Sequence, residues 1–245
     1  QMGTSHFLGQ NFSKPFEVKF ADKDNVEHFA WQTSWGVSWR LIGAMIMAHG
    51  DDKGLVLPPK VAPIQVVIVP IYRNDEGKDK VLPKVNEIKE NLESKDIRVH
   101  VDDRSELSPG YKFNDWELKG VPIRIEIGPK DIEKQSMVIA KRYNLEKSSL
   151  GFSEIEKIPS ILDEIQDNML TKAKEEAKVN TIDISDYQEF KSKIEKGGFF
   201  NAPWGGKEET GADIRVIPFG NEDENQKCMY CQQKSVSIPI FARGY

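Results

Sequence analysis

A chain of 245 residues is long enough for one large domain or two small ones. Hydrophobic residues make up 38% and charged residues 30%, and no apolar run reaches the ~18–20 residues of a membrane-spanning helix. A net charge of −5 excludes a generic electrostatic grip on nucleic acid, so any such contact must rest on local arrangement and specific base contacts.

Gln1-Met2-Gly3 has neither a basic n-region nor an apolar h-region, so no secretory leader is expected. Without an initiator Met at position 1, the chain reads as part of something longer. Residues 1–15 are polar and Gly-containing and read as a loop running into a strand. Phe16 to Phe20 alternates with period two, as a half-buried strand does. Asp22 to Asn25 is turn chemistry, and Glu27 to Thr33 reads as the returning strand. Gly36 predicts a tight turn, followed by a helix with Val37, Leu41, Ala44, Ile46 and Ala48 near helical spacing. Ser34 or Ser38 would cap it and Gly50 would stop it. Arg40 is then the cation in the first turns of an otherwise uncharged helix. That placement opposes the helix dipole and calls for an anion such as a phosphate, which a guanidinium binds bidentately. Two strands and a helix bury little by themselves, so residues 1–62 read as the last part of a larger sheet domain.

Pro58-Pro59-Lys60-Val61-Ala62-Pro63 is a stiff linker. Ile64 to Ile71 is a near-continuous aliphatic run, the mark of a strand covered on both faces. Helices are predicted over 79–94 and 109–118, the second stopped by Gly120. Strands are predicted over 97–101, 122–127 and 136–141, with a turn at 128–131. This alternation implies a three-layer α/β domain with a mixed sheet over 63–165. A long amphipathic helix is predicted from Pro159 to Ala177. A small α/β module follows, with a helix around Tyr187–Lys191, a strand near 199–202, a polar segment and a terminal strand over 235–241. Its expected core is Phe199, Phe200, Trp204, Ile214, Val216, Ile217, Phe219, Ile238, Ile240 and Phe241.

Cys228 and Cys231 are too few for a disulfide framework and fit a reducing cytoplasm. They make half of a zinc site. No other Cys is present and no His lies beyond His100, so a closed four-ligand site is not expected.

Three segments, Gly3 to Phe12, Thr33 to Pro59 and Ser108 to Gly120, resemble motifs of the class II aminoacyl-tRNA synthetases, in the family's order. The wording is closest to prolyl-tRNA synthetases of the archaeal and eukaryotic type, and the likeness runs over nearly the whole chain. The resemblance implies a C-terminal fragment in three parts. Residues 1–62 would be the end of the antiparallel-sheet catalytic domain with motif 3, residues 63–165 the anticodon-binding domain, and residues 166–245 a metal-free C-terminal module. It implies activation of proline with ATP and Mg, then transfer to tRNA(Pro), in a cytoplasmic homodimer. Motifs 1 and 2 are absent, so the chain alone is expected to be inactive. Arg40 would hold the γ-phosphate, although Trp39 departs from the family's small residue before it. Gln1 and Thr4 would face ATP, while His6, Ser34, Trp35 and Gly36 would line the proline pocket. Glu117 and Arg124 are the expected anticodon readers, a carboxylate suiting base amino groups and a guanidinium suiting guanine acceptors. Lys112, Lys119 and Lys130 would add phosphate contacts. Thr210 stands where relatives with a second cysteine pair have a ligand. The tail ending in Tyr245 is expected to fold back toward the catalytic domain. The alternative is a non-catalytic tRNA-binding or regulatory module derived from a synthetase.

Overall fold

A computed structural model describes residues 2–205, 212–220 and 226–244. The expectations for Gln1, Thr210 and Tyr245 lie outside the described residues. The chain divides into two compact units, residues 1–169 and 170–245.

In the first unit, β1 (Gly3–Gly9) pairs antiparallel with β4 (Gln32–Val37), and β2 (Lys19–Ala21) pairs antiparallel with β3 (Glu27–Phe29). The expected opening loop therefore begins as a strand, β1. The expected strand from Phe16 begins at Lys19 instead, because residues 10–17 wind through turns that close with Glu17 in the left-handed region. Phe16, Val18 and Phe20 are all exposed, so their period-two pattern marks no buried face. The predicted returning strand splits into β3 and the start of β4.

Gly36 makes no turn: it lies inside β4, opposite Thr4. The chain turns at Ser38 and Trp39, and α1 (Arg40–His49) follows. Trp39, not a serine, occupies the N-cap position. Gly50 ends α1 with φ −63°, so it is not the left-handed stop the sequence suggested. It is needed for a different reason, since a Cβ there would stand 2.7 Å from the Ile46 carbonyl oxygen.

Residues from Val66 onward build a five-stranded mixed sheet in the order β6-β5-β7-β8-β9. β5 (Val66–Pro70) runs parallel to β6 (Val99–Val101) and β7 (Ile123–Ile127), while β8 (Ser136–Lys141) is antiparallel to β7 and to β9 (Lys147–Gly151). The aliphatic run is buried on both faces as predicted. On one face Val66, Ile68, Ile123, Ile125 and Ile127 pack against Val81, Val85, Ile88 and Leu92 of α2 (Asp75–Glu93) and against Ile158, Leu162 and Ile165 of α5 (Ile158–Val179). On the other face Val67 and Val69 meet Trp116 of α3 (Pro109–Leu118) and Val121.

Helix α2 starts four residues before its predicted first residue, because Asn74 caps it by accepting from the Gly77 amide. The turn at 128–131 is a short helix, α4 (Pro129–Glu133). β9 was not expected. Its Lys-Ser-Ser half is exposed, so it carries no apolar signal and exists through pairing with β8.

In the second unit, β10 (Thr181–Asp183), β11 (Phe199–Asn201), β13 (Ile240–Ala242) and β12 (Asp213–Val216) form a four-stranded sheet in that order, covered by α6 (Tyr187–Ile194). The terminal strand is shorter than predicted, and β10 and β12 come from stretches too brief and polar to read. The core is Ile184, Phe190, Ile194, Phe200, Met229 and Phe241, with Trp204 and Ile214 packed against it. Of the expected core, Phe199, Val216, Ile217 and Phe219 are exposed.

Candidate functional site

Two groups of side chains stand out in the first unit. The first is the β1–β4 ribbon. Its register pairs Thr4 with Gly36, Ser5 with Trp35 and His6 with Ser34. Paired residues share a face and neighbours along a strand alternate, so Thr4, His6, Ser34 and Gly36 lie on one face. Trp35 falls on the other, with Phe7 and Val37. The ribbon thus brings four of the five candidate residues together and sets Trp35 apart. Thr4, Gly36 and Arg40 line one open cleft where the ribbon meets the start of α1. The apolar face beside it is bare: Trp35 is 81% exposed, Trp39 88% and Phe7 75%, and no residue of α1 is fully buried.

The second group is at the sheet face under α3. The sequence Ile123-Arg124-Ile125-Glu126-Ile127 alternates, placing three isoleucines on the major core and Arg124 and Glu126 on the opposite side. Arg124 is only 5% exposed. Its Nη1 donates to Glu117 Oε1 at 3.3 Å, and its Nε and Nη2 donate to Glu126 Oε1 at 3.1 and 3.0 Å. The guanidinium lies over the Phe113 ring at 4.3 Å. Lys147 of β9 donates to Glu126 at 3.0 Å and also reaches the Phe113 ring. One guanidinium is thus held between two carboxylates and an aromatic face, and its Nη1 also donates to the Phe113 carbonyl at 3.3 Å.

Glu117 is held from behind. Arg142 Nε donates to its backbone oxygen at 2.8 Å, while the two Arg142 Nη atoms grip both Asp51 oxygens at 2.6 and 2.8 Å. Those two hydrogen bonds lower the Asp51 carboxyl to about 2. Lys53 Nζ stands 3.9 Å from Glu117 Oε2. The backbone adds Leu55 N donating to Leu118 O and Leu57 N donating to Gly120 O.

Asp102, just after β6, holds the middle and last turns of α3. It is buried and accepts from Trp116 Nε1 at 2.7 Å and from Arg104 Nε and Nη2 at 2.8 and 2.7 Å. Burial alone would raise its carboxyl, but these donors and the Lys112 charge bring it well below the ordinary range. Lys112 is thereby corrected as a surface phosphate contact: it is 4% exposed and its Nζ donates to the Asp102 carbonyl. Lys119 is tied to Asp115 at 3.0 Å and lies over the Trp116 ring.

Sequence reasoning had both Glu117 and Arg124 but not Arg142, Asp51, Phe113 or Lys147. No local pattern marks Arg142, since its partner stands 91 residues away. Among the described residues no group of three or more His, Cys, Asp or Glu could hold a metal ion, and no helix is long and apolar enough to cross a membrane.

Comparison with known proteins follows the same division. The family model described as anticodon binding domain matches residues 65–160, and that described as prolyl-tRNA synthetase, C-terminal, matches residues 187–245. The whole chain aligns with the proline–tRNA ligase of Cenarchaeum symbiosum at 54% identity, covering 53% of that relative. It aligns with that of Chloroflexus aurantiacus at 46% identity, again over 53% of the relative. The crystal structure of prolyl-tRNA synthetase from Cryptosporidium parvum, complexed with L-proline and AMP, superposes with a TM-score of 0.91 at 40% identity. It matches all of this chain and 55% of that one. The chain spans about half the length of the curated relatives it matches, and over its whole length it belongs to the prolyl-tRNA synthetase family.

Proposed function

We propose that this chain is the part of a proline–tRNA ligase that completes the ATP and proline site and reads the anticodon of tRNA(Pro). The observation that carries the reading is 54% identity to a proline–tRNA ligase over the whole of this chain and 53% of that relative. The layout follows: residues 1–62 end the catalytic domain, 63–165 bind the anticodon, and 166–245 form the C-terminal module.

Arg40 holds a phosphate of ATP, taken as its magnesium complex, and Thr4 contacts the nucleotide. His6, Ser34 and Gly36 floor the proline subsite from one ribbon face. Trp35, on the opposite face, acts as a wall for apolar packing. The cleft shared by Thr4, Gly36 and Arg40 supports these roles. Adenylate formation is in-line attack by an already ionised carboxylate, so the chain's residues contribute positioning and charge stabilisation. Glu117 and Arg124 read the anticodon; single-stranded bases expose the edges they need. The bare apolar ribbon and helix fit a surface that the rest of the catalytic sheet covers, in a homodimeric, cytoplasmic enzyme.

The test uses a full-length enzyme containing this chain. Arg40→Ala is expected to cut proline-dependent ATP–pyrophosphate exchange by orders of magnitude, since a clamp on transition-state charge is lost. Near-normal exchange in that variant would overturn the assignment.

A further inference from the structure

The proposed function leaves Cys228 and Cys231 unused. They sit on a hairpin turn: Lys227 bridges Lys234, Cys228 N donates to Gln233 O at 2.7 Å, and Gln232 N donates to Cys228 O at 3.1 Å. Met229, between the two cysteines, is buried in the core of the second unit, and Tyr230 packs edge-on to Tyr187 with centroids 5.0 Å apart. The turn is therefore anchored. Both sulfurs face Gly205, where a Cβ would lie 3.1 Å from Cys231 Sγ and 3.3 Å from Cys228 Sγ. Two thiols thus converge on one point of backbone, and they hydrogen-bond to each other.

Cys228 is buried and Cys231 partly exposed, and both are free thiols. Burial pushes the Cys228 thiol up. Hydrogen bonds from the backbone of Cys231 and Tyr230, the Cys231 thiol and the Gly205 backbone bring it below its ordinary value. A closed tetrahedral metal site needs two more ligands, and among the described residues none stands with this pair.

We propose that Cys228 and Cys231 are a redox-active dithiol that closes reversibly to an intramolecular disulfide by exchange with a small-molecule disulfide of the glutathione type. The accessible Cys231 thiolate attacks one sulfur of the oxidised small molecule, forming a mixed disulfide and expelling one small thiolate. The Cys228 thiolate then attacks the Cys231 sulfur, forming the protein disulfide and expelling the second. The protein gives up two electrons and two protons, and the small disulfide becomes two thiols. Each part of the geometry has a use: a partly exposed sulfur to receive the oxidant, and a buried, hydrogen-bonded one to resolve the adduct.

The full chain, first treated with a chelator, is equilibrated over a series of oxidised-to-reduced glutathione ratios. It is then quenched with an alkylating reagent and weighed intact. The expected product is a monomer lighter than the reduced chain by two hydrogens and carrying no alkyl groups. Its fraction follows the ratio in both directions and is independent of protein concentration. Cys228→Ser is expected to leave a persistent glutathione adduct on Cys231, and Cys231→Ser to give neither adduct nor disulfide. Two alkylated thiols at the most oxidising ratio would overturn the proposal. So would a wild-type adduct that never resolves, or disulfides formed only between chains.

Discussion

Arg142 is nearly fully buried, and its charge is balanced by a carboxylate that local sequence gives no reason to connect with it. Asp51→Asn keeps the shape but leaves that guanidinium without its anion. The expected loss is about 1–3 kcal/mol of stability, towards the low end because the Asp51 side chain is 41% exposed. Chemical denaturation at neutral pH checks it. The pH dependence has a definite sign. Arg142 lowers the folded-state Asp51 carboxyl from 3.8 to about 2, so its contribution is complete above the ordinary value and is lost as pH falls from near 3.8 towards 2. The variant should show a flatter stability slope across that window than the wild type. Glu117 is the second test at this scale. In a full-length enzyme, Glu117→Ala should reduce tRNA charging by a lost base contact of about 1–3 kcal/mol while leaving proline activation nearly unchanged. Equal loss in the two assays would remove Glu117 from the anticodon contact. Arg124→Ala is less informative, because it leaves Glu117 and Glu126 facing each other across a buried gap.

At the scale of elements, the end of α3 shows why one glycine cannot be replaced. Gly120 has φ +72°, and a Cβ there would lie 2.5 Å from the Leu55 carbonyl oxygen. Gly120→Ala combines left-handed strain with a backbone collision, so it should cost more than about 1 kcal/mol and loosen the segment that follows α1 from α3. Thermal melting reads the cost, and faster hydrogen exchange at Leu55 and Leu57 reads the loosening. The start of α2 offers a milder test. Asn74→Ala removes the acceptor for the Gly77 amide and should cost about 1 kcal/mol. The helix at 109–118 was predicted to the residue from Pro109 and Gly120, and the structure adds a cap, the Ser108 side chain accepting from the Tyr111 amide. The start of α2 was missed because its cap precedes the apolar stripe. β9 and β12 were missed because an edge strand that pairs through its backbone needs no apolar side chains.

For the whole molecule, the apolar surface on the β1–β4 ribbon and α1 is the dominant exposed feature of the first unit. The 245-residue chain alone should bind a hydrophobic dye, and replacing Trp35 and Trp39 together by serine should lower that binding severalfold. The same chain should give no proline-dependent ATP–pyrophosphate exchange, since it spans only about half the length of its proline–tRNA ligase relatives. By itself the sequence determined the aliphatic central strand, the amphipathic helices and the bounds of α3. Each is written in neighbouring residues, through periodicity or a terminating glycine. Only the tertiary structure decided that Gly36 continues a strand, that Lys112 turns inward to Asp102, that Trp35 faces away from Thr4 and His6, and that Asp51 balances Arg142. Those outcomes depend on register and on charges brought together from distant parts of the chain. Burying a charge demands a partner wherever the fold can supply one, and local sequence carries no mark of where that partner will be.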